Sequence, residues 1–267
     1  RRDRIATILV APLMTCSARL PVYTLVIAAF IPDRPMLGGL VGLQGLTMFA
    51  LYAAGILSAL AVAFVLKKLV WRQKPEPFIM ELPDYKWPQP RNVALALWLR
   101  AWVFLRRAGT IILALMIVVW FLSTFPTPPE GAEGPAIDWS IAGRLGHFLE
   151  PVFRPLGFNW QIVVALIPGM AAREVAVGVL GTVYSLSATG DEVGAALAPV
   201  LAANWSLPTA LSLLVWYVFA PQCLSTLAVV RRETASWRWP AVMFGYMLVL
   251  AYGAAWATHA IAQGLMR

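Results

Sequence analysis

Residues 5–32 read Ile5-Ala6-Thr7-Ile8-Leu9-Val10-Ala11-Pro12-Leu13-Met14-Thr15, then Cys16-Ser17-Ala18-Arg19, then Leu20-Pro21-Val22-Tyr23-Thr24-Leu25-Val26-Ile27-Ala28-Ala29-Phe30-Ile31-Pro32. Two apolar arms, Ile5–Thr15 and Leu20–Ile31, flank a polar break. A thiol, a hydroxyl, a cation and the following Pro21 are costly to place in hydrocarbon. Freed backbone groups and an intramembrane charge need partners or a water-filled cavity. The break therefore marks where a transport path would run.

The rest of the chain supports a membrane reading. It is 60% hydrophobic and only 13% charged, against about 25% charged in soluble proteins. Val41–Leu66, Ala108–Phe125, Thr209–Val230 and Trp239–Thr258 are apolar runs near the ~20 residues a helix needs to cross a bilayer. The expected fold is an all-α polytopic membrane helical bundle with broken or re-entrant gate segments. The net charge of +8 is placed for topology and not for nucleic acid. Lys67, Lys68, Arg72, Lys74, Lys86, Arg91, Arg100, Arg106 and Arg107 fall between two spans, the positive-inside signature of a cytoplasmic loop facing anionic lipid. Glu130, Glu133, Asp138, Asp191 and Glu192 lie in other loops.

Charge counting then gives a path. Arg1–Arg4 is cytoplasmic, 5–32 leads outward, and Val41–Leu66 returns to the basic loop. Asn92–Arg107 mixes apolar and basic residues, with Trp98 and Trp102 at i,i+4. It reads as an amphipathic helix in the interface or as a short helix packed on the bundle. Ala108–Phe125 crosses outward to an external loop, 126–159. Trp160–Leu186 contains Pro168-Gly169 and Arg173-Glu174. If it crossed fully, Arg231, Arg232 and Arg238 would lie outside; a re-entrant segment keeps the positive-inside rule throughout and is favoured. The layout is thus 1–40 as part of a first gate, 41–125 as membrane helices enclosing the basic loop 67–107, the external loop 126–159, and 160–267 as a second gate with the last helices. Interrupted segments in two halves of a chain point to a transporter's binding site.

The breaks hold the candidate chemistry. Cys16 follows Met14 by two residues, and thiol with thioether suits softer or borderline first-row metals. The alternative is a cysteine filling space between helices. Pro21 closes that break, with Ser17 and Arg19 inside it. Cys223 sits in Ala220-Pro221-Gln222-Cys223-Leu224-Ser225-Thr226. Pro221 donates no hydrogen bond, so a carbonyl one turn earlier, near Tyr217, is freed. Gln222 and Ser225 add oxygen donors. Glu174, beside Arg173 and near Met170, is an intramembrane carboxylate: a cation ligand, proton relay or gate, or else a charge partner for an arginine such as Arg19. His147 and His259 lack ligand-spaced partners and read as structural. Two cysteines are too few for a disulfide framework. No phosphate-binding loop, G-x-S-x-G or H-E-x-x-H is present, so no nucleotide site and no catalytic residue is expected.

At this point the residues resemble a known family. Arg2-Asp3-Arg4-Ile5-Ala6-Thr7-Ile8-Leu9 with Ala11–Tyr23, Pro77-Phe78-Ile79-Met80-Glu81-Leu82-Pro83, Arg106–Ile112, Ala172–Gly178 with Leu180-Gly181-Thr182, and Thr226–Thr234 are similar to the bacterial ferrous iron transport protein B (FeoB) family. The likeness runs through nearly the whole chain in order. It implies a multi-pass protein of the bacterial cytoplasmic membrane that moves Fe²⁺ inward as substrate. It also implies that Cys16 and Cys223 lie on the iron path and that 160–186 belongs to the second gate. A cytoplasmic GTP-binding domain and earlier membrane helices would be partners. The start at Arg1-Arg2-Asp3-Arg4, with no methionine, leads us to expect a fragment lacking them. Assembly as a homo-oligomer stays open. Two other readings also stay open: an organic-solute carrier of nucleoside type, and a non-transporting scaffold docking a soluble partner on 67–107.

Overall fold

The structure is a computed structural model, and it describes residues 2–36, 41–70, 87–127, 139–171, 173, 175–184 and 192–266. The first apolar arm is helix α1 (Arg2–Val10), continued by a 3₁₀ turn over Ala11–Leu13. The chain then turns extended at Met14 (φ −65°, ψ 138°) and at Cys16 (φ −97°, ψ 158°). A second 3₁₀ turn, Ser17–Arg19, feeds helix α2 (Leu20–Phe30). Pro21 occupies the first turn of α2, where the missing N–H costs nothing. The break thus sits between two prolines, each at a helical start.

After a short antiparallel pair, β1 (Pro35–Met36) with β2 (Val41–Gly42), α3 (Leu43–Val65) spans the expected apolar run and ends in a π-helical turn at Leu66–Val70. Helix α4 (Pro90–Thr124) is 35 residues long and carries the expected span Ala108–Phe125 in its second half. The amphipathic stretch 92–107 is therefore the first half of that helix and not a separate interfacial element. Nothing between Arg100 and Thr110 stops a helix except Gly109, whose cost of about 1 kcal/mol is small against so long a run.

Residues 126–159, expected as a loop, contain helix α5 (Ile141–Phe153). Ser140 caps it, its Oγ accepting from the Gly143 N–H at 3.1 Å, which satisfies an orphan donor of the first turn. A 3₁₀ turn over Arg154–Leu156 ends at Gly157, whose φ of +78° is left-handed. Asn159 opens helix α6 (Trp160–Ala171), its Oδ1 accepting from the Ile162 N–H at 3.0 Å. Helices α7 (Val175–Val183), α8 (Glu192–Asn204) and α9 (Leu207–Phe219) follow. The run 209–230, expected as one kinked span, is two helices: α9 and α10 (Leu224–Thr234), with Ala220–Cys223 non-helical between them. Helix α11 (Arg238–Leu265) closes the chain.

The two interrupted segments, α1–α2 and α9–α10, run antiparallel. Arg4 is ion-paired to Glu233, Gln222 Nε2 donates to the Pro12 carbonyl, Arg19 Nη1 donates to the Val218 carbonyl, and Phe30 stacks on Trp205 at 6.3 Å. These four contacts fix the register from one end of the bundle to the other. They place Arg4 and the basic residues Arg231, Arg232 and Arg238 at one end, as the charge rule requires.

Helices α6 and α7 pack on each other. At the start of α6 the Trp160 ring lies 4.8 Å from that of His147. At the end of α7 the Tyr184 hydroxyl accepts from Trp205 Nε1 at 2.8 Å and sits against Asn159. Both ends of 160–184 are therefore at the Trp205 end, opposite Arg4. Helices α6 and α7 thus form a hairpin whose two ends lie together, the geometry that a re-entrant 160–186 requires; residues 185 and 186 lie outside the described residues.

Two apolar clusters fill the interior. The larger includes Val22, Tyr23, Val26, Ile162, Val163, Leu197, Leu201, Leu213 and Leu214; the smaller includes Leu9, Leu13, Met243 and Met247. Four helical stretches among the described residues are long and apolar enough to cross a membrane: Arg4–Phe30, Leu43–Lys68, Leu207–Thr234 and Arg238–Leu265. Large apolar side chains such as Phe49, Leu57, Leu60, Leu113, Ile117, Trp120, Val249 and Ile261 face outward. A helix apolar on its outer face belongs against lipid.

Candidate functional site

The three interruptions meet. Pro221 has no N–H to return to the Tyr217 carbonyl, and it pushes Ala220 into an extended conformation (φ −48°, ψ 142°). Helix α9 thus ends with bare carbonyls at its negative end. Two arginines from distant elements fill that end. Arg173, at the tip of the α6–α7 hairpin, donates from Nη1 to Tyr217 O at 3.3 Å, and from Nη2 to Ala220 O at 2.9 Å and Pro221 O at 2.8 Å. Arg19, from the first break, donates from Nη1 to Val218 O at 2.8 Å. Arg173 is 3% exposed and Arg19 0%. A cation this deep needs oxygen partners. Carbonyls supply them here, and the freed carbonyl read from Pro221 is one.

Gln222, also buried, ties the second break to the first through the Pro12 carbonyl. Cys223 is half-buried at the cap of α10, its Sγ 3.3 Å from Thr226 Oγ1. Cys16 is exposed, as are Met14, Ser17 and Pro21. Arg173 lies within electrostatic reach of Arg19, Cys16, Tyr217 and Cys223. Met170 is 37% exposed near the end of α6. Pro221 is buried and Ser225 half-buried in the first turn of α10. Glu174 lies outside the described residues. Of the expected residues, Arg19, Arg173, Pro221 and Gln222 therefore meet around one helix end, with Cys16 and Cys223 in electrostatic reach of Arg173, although their chain positions are far apart.

The geometry adds residues that sequence reading missed. Tyr23, fully buried one turn along α2 from Arg19, lies in the field of both arginines. Its i,i+4 spacing from Arg19 was the available signal. Thr15 touches the α3 backbone: a Cβ at Gly55 would lie 2.9 Å from Thr15 Oγ1, so only glycine lets α3 approach the first break. Thr226 joins Cys223. Among the described residues no three or more His, Cys, Asp or Glu side chains form a group able to hold a metal ion. The donors at hand are two thiols, a thioether, hydroxyls and carbonyls. His259 is a packing residue, buried over Gly157 with Nε2 2.9 Å from Gln263 Nε2.

Comparisons with known proteins follow the same segments. Residues 48–100 match the family model described as "Ferrous iron transport protein B C terminus". Residues 105–237 match the Gate model, described as "Nucleoside recognition". A protein from Leptospira interrogans named "Fe(2+) transporter FeoB" is 38% identical over 278 residues, covering 98% of this chain and 40% of its own length. One of the same name from Campylobacter jejuni is 33% identical over 271 residues, covering 100% of this chain and 43% of its own. A "Fe(2+) transport protein A/Fe(2+) transporter FeoB fusion protein" from Porphyromonas gingivalis is 35% identical over 292 residues, covering 94% and 34%. The chain thus spans about two fifths of the length of such relatives. No solved structure matches it. A FeoB C-terminal region followed directly by a gate region, with end-to-end likeness to FeoB transporters, places this chain in the ferrous iron transport protein B family.

Proposed function

We propose that this chain is membrane machinery of a bacterial Fe²⁺ importer, with Fe²⁺ as its substrate and the cytoplasmic membrane as its site. The observation that carries the reading is the meeting of two cysteine-bearing helix breaks at the tip of a re-entrant hairpin. Partly dehydrated Fe²⁺ would exchange water for Cys16 and Cys223 sulfur, Met14 thioether and nearby carbonyl or hydroxyl oxygens, a borderline metal on mixed donors. Arg19 and Arg173 hold the ends of the path in place, their charges spread onto the carbonyls of α9. Ser17, Pro21, Met170, Glu174, Pro221, Gln222 and Ser225 would border the path. The basic end, with Arg4, Lys67, Lys68, Arg231 and Arg232, would face the cytoplasm, where a GTP-binding domain would drive the gate. We assign no catalytic residue; the chain acts as a transporter and not as an enzyme.

The test is uptake of radioactive iron by cells carrying the full-length protein with Cys16→Ser, Cys223→Ser, or both. A marked loss in the double variant at equal membrane abundance is expected. An unchanged rate would remove the thiols from the path. The Gate model's description gives a second reading, a nucleoside-type carrier, and labelled uridine uptake in the same cells would reveal it.

A further inference from the structure

At the end of α9, backbone oxygens close in on positive charge. Ala220 O and Pro221 O converge on a single nitrogen, Arg173 Nη2, at 2.9 and 2.8 Å, and Tyr217 O reaches Nη1 at 3.3 Å. Val218 O, from the same turn, accepts from Arg19 Nη1. Both arginines are buried, and among the described residues neither is ion-paired to a carboxylate. What holds them is the partial negative charge of the carbonyls at the C-terminal end of α9, with the helix dipole behind it.

Convergence is what separates a cation site from a helix cap. A cap needs N–H donors in set directions, whereas oxygens aimed at one point can replace the water around a bare ion. Half-helix C-terminal ends beside unwound carbonyls are where secondary transporters hold coupling monovalent cations, and Ala220–Cys223 is such an unwound stretch. Uncharged oxygens suit a weakly hydrated ion, since Mg²⁺ dehydrates reluctantly and favours carboxylates. Guanidinium is itself weakly hydrated. Arg173 reaches these oxygens from the tip of the α6–α7 hairpin, 44 to 48 residues before them in the chain. The occupant thus belongs to a different element from the site.

We propose that the unwound end of α9 is a monovalent-cation site and that the Arg173 guanidinium is its tethered occupant, standing where a free coupling ion would bind. Removing the guanidinium opens the oxygens to a free ion of K⁺ type, and docking of the hairpin then depends on that ion. The assignment does not depend on the cargo: it holds equally for a path that carries Fe²⁺ and for one that carries a nucleoside.

The test uses the full-length protein in detergent with Arg173→Ala or Arg173→Gln; the glutamine keeps an amide donor for these carbonyls and so guards against loss of the fold. Unfolding is followed by tryptophan fluorescence in K⁺ and in choline at equal ionic strength. The site is filled in the unaltered protein, whose response is the baseline. Replacing choline by K⁺ should raise the unfolding temperature of either variant, saturably, by about 4 °C more than that baseline, the shift that a tenfold excess over Kd produces. Adding Pro221→Ala to Arg173→Gln returns an N–H to the Tyr217 carbonyl and should cut the K⁺ shift to about half or less. A K⁺ response no larger than the baseline, or one untouched by Pro221→Ala, overturns the proposal. So does stabilisation by methylguanidinium alone, which would mean that the oxygens need N–H donors and that Arg173 only caps α9. Iron uptake is not the readout, so the importer reading and the cation site stand or fall separately.

Discussion

The guanidinium of Arg173 occupies the gap that Pro221 opens: it donates to the Tyr217 carbonyl, which Pro221 cannot serve, and to Pro221's own carbonyl at 2.8 Å. A proline on one broken helix is thereby matched by a cation on the tip of a hairpin 48 residues earlier. The pairing turns a defect in α9 into a docking point for the α6–α7 hairpin.

If the pairing holds the hairpin, Arg173→Lys should destabilise the protein by roughly 2 kcal/mol, since hydrogen bonds to charged groups are worth about 1.5–3. Pro221→Ala returns an N–H to the Tyr217 carbonyl and so competes with Arg173. In that background the lysine substitution should cost less, with a coupling on the order of 1 kcal/mol. Denaturant unfolding in detergent of the two single variants and the double variant gives the cycle. Strict additivity would refute the pairing.

The α6–α7 hairpin makes a sidedness prediction. In a background lacking Cys16 and Cys223, single cysteines at Asn159 and Tyr184 should both react with a membrane-impermeant maleimide from outside the cell. One at Ser236 should react only after the membrane is opened. Opposite labelling at positions 159 and 184 would mean that 160–184 crosses.

Gly157 has two reasons to be glycine. Its φ of +78° is left-handed, and a Cβ there would overlap the His259 ring. Gly157→Ala should therefore cost the left-handed penalty of about 1–2 kcal/mol plus a clash with His259. Adding His259→Ala should relieve the clash and leave the backbone cost. Thermal unfolding of the three variants separates the two parts.

The Arg4–Glu233 pair fixes topology more than stability. Its side chains are 66% and 45% exposed, so Glu233→Gln should cost less than about 1 kcal/mol and less still in high salt. A large loss on unfolding would show that the pair is shielded by something this chain does not contain.

Much of this was legible from residues. The arms around Cys16, the span of α3, the span of α11 and the carbonyl freed by Pro221 each follow from local rules of helix chemistry. Helix α5 was not, because its 13 residues are too few to cross a membrane and follow a proline-rich, acidic stretch, so its amphipathic period was passed over within a presumed loop. The continuity of α4 was hidden for the opposite reason: the cluster Arg106-Arg107 looks like an interface boundary, yet arginine is a good helix former. Arg19 and Arg173 were legible as important, but their partners were not. A bond to Val218 or Ala220 is made to a backbone oxygen, 199 and 47 residues away. Any residue carries that oxygen, so nothing in the side-chain alphabet records it.

The interruptions at 14–16 and 220–223 fall near the middle of the apolar stretches Arg4–Phe30 and Leu207–Thr234. On the importer reading, voltage then acts on the two legs of the journey separately. A divalent ion drawn from outside to that level crosses roughly half the field, gathering about 2.3 kcal/mol for every 100 mV of membrane potential. The second leg, from the breaks to the basic end, would yield the same again. The chain's fixed cations sit where the first half of that electrical work has been collected and the second half is still to come.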